Sequence, residues 1–105
     1  MQLTPPLRIQ WYKDEAFEFE IEPHHEVVFL HIGITKWSKT IVKRMYEVLQ
    51  EIEQAMSDLG YKHLLMYNPE QPKSWDKLVT RFAKYEILFY MDNGHHVYGK
   101  DLTCL

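Results

Sequence analysis

After residues 26–34 the apolar period of this chain changes from two to three-and-four, and that change limits the folds open to it. Over residues 26–34 (EVVFLHIGI), Val28, Leu30, Ile32 and Ile34 share one face of an extended chain, while Val27 and Phe29 occupy the other. A strand that is apolar on both sides belongs in the middle of a sheet. From Ile41 the apolar residues recur at steps of three and four through Met45, Leu49, Ile52, Met56 and Leu59, the stripe of an amphipathic helix. Ser38 is the expected N-cap, with Thr35 as the fallback, and Gly60 stands where a C′ glycine ends a helix. The helix is therefore predicted over about 38–59. Residues 63–68 (HLLMYN) follow as a short buried strand, so that strand, helix and strand form a right-handed parallel crossover.

The flanks supply the rest of a sheet. Pro5 and Pro6 hold the first residues extended. Leu7, Ile9 and Trp11 alternate with Arg8, Gln10 and Tyr12. After a polar turn at Asp14-Glu15, Phe17, Phe19 and Ile21 alternate with Glu18, Glu20 and Glu22. The two runs read as an antiparallel hairpin whose second strand has one wet face. Pro23-His24-His25 is expected to end that strand and turn the chain. Residues 69–72 read as a loop. Ser74 is the expected cap of a second helix over about 75–84, with Trp75, Leu78, Val79 and Phe82 as its apolar side. Residues 87–91 and 97–102 are the last strands, joined at Asn93-Gly94, a type I′ turn signal. The fold class that follows is α/β: a mixed, largely antiparallel twisted sheet of about six strands with two helices, order β-β-β-α-β-α-β-β. It forms one domain over residues 1–105.

Composition narrows the function classes. At 105 residues, 46% apolar and 14% aromatic, the chain supports one packed core. Twelve basic against 15 acidic residues, net −3, lack the basic excess of nucleic-acid binders, so no nucleic-acid partner is expected. No apolar run approaches the ~18–20 residues of a membrane span, and no membrane partner is expected. The first residues, Met-Gln-Leu-Thr-Pro-Pro, show neither a basic start nor an apolar h-region, so the expected location is cytoplasmic. The single cysteine, Cys104, cannot close an intrachain disulfide.

Candidate chemistry is sparse. Lys36, Lys39, Lys43 and Arg44 crowd the start of the long helix, and Glu47, Glu51, Glu53 and Asp58 crowd its end. The macrodipole favours the reverse order by about 0.3–1 kcal/mol per charge. A basic helix start can receive a phosphate or an acidic partner; it can equally be a solvated face with pairs such as Lys43–Glu47. Among six histidines, His24-His25 and His95-His96 sit at turns and His31 and His63 in strands. Adjacent histidines on an extended chain point to opposite faces, and neither a cysteine cluster nor a His-x-x-x-His spacing occurs, so no metal is expected. There is no Gly-x-Ser-x-Gly elbow and no phosphate-cradling Gly-x-x-x-x-Gly-Lys loop, and the Glu18, Glu20 and Glu22 row reads as a solvated stripe. No catalytic residue is assigned.

The element order, closing on a helix and a terminal antiparallel hairpin, resembles the GCN5-related N-acetyltransferase (GNAT) fold from its second strand onward, over residues 7–102. The family fold has a first strand and two helices ahead of this point, without counterpart here. The stretch from the central strand through Trp37 and the long helix is similar to small, divergent, phage-type members. The resemblance implies an acetyl-CoA loop, Gln/Arg-x-x-Gly-x-Gly/Ala, between central strand and long helix. The corresponding stretch, from Gly33 through Thr40, has one glycine, ahead of the loop, and Trp37 within it. If acetyl-CoA binds, the resemblance puts it on Ile32, Ile34, Trp37, Ser38 and Lys39. The family's tyrosine acid falls near Phe82, which has no proton to give, with Tyr85 about one turn later. Asn68 matches a polar residue that often ends the preceding strand.

A scaffold resembling this family without its chemistry implies a non-catalytic protein-binding module with no cofactor, such as a phage-encoded inhibitor in the host cytoplasm. The alternatives are a divergent acetyl-CoA-dependent N-acetyltransferase, with Asn68 aiding the acceptor amine, and a virion-associated structural protein. Val27, Phe29, Leu65, Tyr67 and Tyr90 give several strands a second apolar side, which two helices do not readily cover unless they lie on opposite faces. A leftover apolar face marks an interface. The expected assembly is therefore a homodimer or a complex with a protein partner. Its expected contacts are Lys36, Trp37, Lys39, Lys43 and Arg44 together with Val27 and Phe29.

Overall fold

The structure, a computed structural model, describes residues 7–67, 73–90 and 96–104. The elements are β1 (Ile9–Lys13), β2 (Phe17–His24), β3 (Val27–Ile34), α1 (Lys39–Asp58), β4 (His63–Tyr67), α2 (Lys73–Lys77, continuing as a π-helical turn, Leu78–Phe82), β5 (Glu86–Tyr90) and β6 (His96–Asp101). This is the predicted α/β order. One six-stranded sheet runs β1-β2-β3-β4-β6-β5. All neighbours are antiparallel except β3 and β4, which α1 joins in parallel.

Local chemistry explains the boundaries of α1. Ser38 is extended, and its hydroxyl accepts the Ile41 N–H at 3.2 Å. At the far end Gly60 takes φ +94, a left-handed conformation that needs no Cβ.

The core lies on one side of the sheet. Phe17, Phe19 and Ile21 of β2, Val28 and Leu30 of β3, Leu64 and Met66 of β4, and Tyr98 of β6 all point to it. Met45, Leu49, Ile52 and Met56 of α1 and Trp75 and Val79 of α2 close the same cluster. Both helices therefore cover one face. A charge sits in this layer. Glu53 of α1 is 4% exposed and accepts hydrogen bonds from the Tyr85 hydroxyl at 2.7 Å and the Lys100 ammonium at 2.9 Å. Burial and then the Glu53 charge push the Tyr85 hydroxyl well above its ordinary range, so it stays a donor.

Several local expectations are corrected. β2 does not stop at Pro23 but runs through His24, and the turn falls on His25 (φ +50) and Glu26. Pro23 lies past Ile21, the last residue of β2 that pairs with β1, where a missing N–H breaks no outer ladder. Ser74 lies inside α2 rather than capping it. Phe82 is 66% exposed instead of apolar lining. The last turn of α2 widens, with the Ala83 N–H reaching the Leu78 carbonyl at 3.0 Å, and the extra residue turns Ala83 inward and Phe82 outward. Tyr90 pairs with His96 on the helix-bearing side, because an irregularity between Ile87 and Phe89 inverts the alternation. Cys104 falls in a 3₁₀ turn, Leu102–Cys104. Pro5-Pro6, Asn68, residues 69–72 and Asn93-Gly94 lie outside the described residues.

Candidate functional site

The opposite face of the sheet follows from strand register. It carries Glu18, Glu20, Glu22 and His24 of β2, Val27, Phe29 and His31 of β3, His63 and Leu65 of β4, Glu86 and Leu88 of β5, and Val97, Gly99 and Asp101 of β6. Among the described residues no helix packs on it. Its middle is apolar. Val97 is 4% exposed yet stands outside the main core cluster. A Cβ on Gly99 would lie 2.6 Å from Leu88 Cδ1 and 3.1 Å from Leu65 Cδ2. The bare backbone of Gly99 thus lets Leu88 lie across β6 toward Leu65, while Leu88 remains 49% exposed. The result is a band of Val27, Phe29, Leu65 and Leu88. Beside its β5 end is an open depression of ≈ 700 Å³ that His63, Lys84, Glu86 and Asp101 also line.

The β2 side of this band is acidic. Glu18 has only the exposed Lys13 within reach, at 3.4 Å, and Glu20 makes no ion pair or hydrogen bond through its side chain among the described residues. Glu22 accepts from two imidazoles, His24 Nε2 and His31 Nε2, the latter at 3.1 Å. The same two rings stand 6.5 and 6.3 Å from the Phe29 ring, so Phe29 sits between histidines tied to one carboxylate. Among the described residues no group of three or more His, Cys, Asp or Glu side chains could hold a metal ion.

The His24 hydrogen bond, followed against burial by His31, holds the Glu22 carboxyl below its ordinary value of 4.5. A depressed carboxyl stabilises the fold above its unfolded value, and that contribution is lost as pH falls through the lower, folded value. In acid titrations of urea stability followed by tryptophan fluorescence, the wild type is expected to lose more stability below about pH 4.5 than Glu22→Gln does. Parallel curves would show that the cluster contributes nothing.

Two of the four basic residues at the helix start, Lys36 and Arg44, are occupied from within. Arg44 pairs with Asp14, lies 3.4 Å from the Tyr12 hydroxyl and stands 5.5 Å over the Phe17 ring. Lys36 reaches Glu15 at 3.6 Å. Asp14 Oδ1 accepts the N–H groups of Ala16 and Phe17 at 2.7 and 3.1 Å, which shapes the β1–β2 turn and brings its acids to α1. The N–H groups of Thr35 and Lys36 both donate to the Ala16 carbonyl, at 2.7 and 3.1 Å. Trp37, Lys39 and Lys43 are exposed, whereas Ile32 and Ile34 pack against the core. The single contact set expected from sequence therefore divides. Val27 and Phe29 point away from the helices, and the helix start follows the far end of β3.

A second polar cluster ties α2 to β6. Asp76 Oδ1 accepts from the Tyr98 hydroxyl and from His96 Nε2 at 3.0 Å, and that nitrogen lies 2.7 Å from the Tyr98 oxygen. Burial raises the Asp76 carboxyl, but Tyr98 and His96 together outweigh it and hold it low. His96 Nδ1 and Trp75 Nε1 are buried with no hydrogen-bond partner among the described residues. The cluster joins α2 to β6, with the Asp76 side chain still 41% exposed.

No family model, curated protein or solved structure matches the chain. No helix among the described residues is long and apolar enough to cross a membrane.

Sequence reading missed both histidine clusters. Glu22-x-His24 on one strand face was a visible signal for the first, but His31 joins it only through the β2–β3 register, in which Glu22 faces Phe29.

Proposed function

We propose that the chain is a non-catalytic protein-binding module on a GNAT-like scaffold, engaging a protein partner through the face of its sheet on which no helix packs among the described residues. One observation carries the reading: both helices close a single core, and the opposite face keeps an apolar band with a charged rim. An apolar centre inside a polar rim is the usual build of a protein interface. The commitments of Thr35, Lys36 and Arg44 to Ala16 and Asp14 support this over a divergent acetyltransferase, since they draw donors away from any phosphate at the same turn. The acid row on the face favours a different protein over a second copy as partner. A phage-encoded inhibitor working in the host cytoplasm is the setting the reading fits.

Photo-crosslinking tests it. A photoreactive residue at Phe29 is expected to yield a discrete adduct with another protein in cells, and the same residue at the exposed Glu51 on α1 to yield none. Equal adducts from both positions, or saturable micromolar binding of acetyl-CoA by calorimetry, would overturn the reading.

A further inference from the structure

Resting on that reading, we infer that the occupant of the open face is a basic amphipathic helix of the partner, its cations on the Glu18–Glu20–Glu22 row and its apolar side on Phe29 and Leu65.

The parallel β3–β4 pair supplies the first reason. The crossover helix of a parallel pair covers one of its faces, and apolar side chains on the other face are surface open to a partner. Here α1 covers one face of the pair, and Phe29 and Leu65, opposite each other in register, sit on the other. Spacing supplies the second. Alternate residues of a strand lie roughly 6.5 Å apart. Residues four apart on a helix lie roughly 6 Å apart. A helix laid along β2 and β3 can thus set lysines or arginines at i, i+4 and i+8 against the three carboxylates. Its apolar row then falls on the adjacent band. Charge supplies the third. Glu18, Glu20, Glu22, Glu86 and Asp101 share the face; register places Lys13 and the histidines His24, His31 and His63 with them, and Lys84 lines the depression beside Glu86 and Asp101, so the acid excess lies on the β2 side. Glu20 is free to take a cation, and Glu18 can exchange its exposed lysine for one. A second copy stacked with its β2 over this β2 would set acid row against acid row, which the proposal excludes.

The probe is a pair of synthetic amphipathic helices of about 18 residues with the same leucine row. One carries lysine and the other glutamate at i, i+4 and i+8. Against the full chain, calorimetry is expected to show the lysine helix binding at least about tenfold more tightly. Amide shifts should fall along β2 and at Phe29 and Leu65. Glu20→Lys should narrow the preference between the two helices while leaving the urea midpoint unchanged. Equal affinities, or shifts confined to α1 or to β1 and β5, would overturn the inference. Combined with a Phe29 adduct in cells, that result would leave the binding reading standing with another kind of partner. Loss of the adduct as well would remove both.

Discussion

Replacing Glu53 by alanine is expected to lower the unfolding free energy by about 3 kcal/mol, among the largest losses available to one exposed-looking acidic residue in this sequence. The carboxylate is 4% exposed among apolar neighbours and takes both the Tyr85 hydroxyl and the Lys100 ammonium. Its removal leaves an ammonium whose side chain is 18% exposed and a buried hydroxyl with no acceptor. Breaking a buried pair from one side costs about 3–5 kcal/mol, and the residual exposure of Lys100 sets the low end. Removing all three polar groups together, as Glu53→Leu, Lys100→Met and Tyr85→Phe, is expected to recover stability to within about 1 kcal/mol of the wild type. Urea titrations of the three chains measure this. A single-variant loss below about 1 kcal/mol would mean that water reaches the pair.

Leu30→Ala is expected to cost about 3 kcal/mol, and its neighbour Phe29→Ala about 1 kcal/mol, although phenylalanine is the larger side chain. The two alternate across β3. Leu30 is 0% exposed beneath α1, where truncation leaves a cavity. Phe29 is half-buried on the open face, where solvent fills the space. Equal losses would contradict the one-sided core. A small stability loss at Phe29 together with loss of its partner adduct separates binding from folding at one position.

The legible parts of this fold were those set by local period. The α1 stripe, the Ser38 cap and the hairpin alternation need only near neighbours in sequence, and the structure keeps them. Glu53 falls on the same helical stripe as Leu49, four residues on, but its charge argued for solvent; only Lys100 and Tyr85, brought from beyond α1, reverse that. The wide turn of α2 and the irregularity at Leu88 each insert a residue, and neither carries a compositional mark. The uncovered face was readable from the two-sided strands. Its division from the basic helix start was not, because that depended on which face of the sheet α1 chose. Arg44 was read as available, since Asp14, its partner, lies two strands back along the chain.

The parallel seam also orders the way the chain comes together. β1, β2 and β3 form a meander from consecutive hairpins, so each pairing closes a short loop. β4 pairs with β3 only after the whole of α1 has been laid back across the meander. Loop-closure entropy must be overcome there, as it must again where β4 pairs with β6. A ribosome delivers the meander and α1 before β4 exists. Until His63–Tyr67 has been made, the β3 edge of the meander has no partner strand.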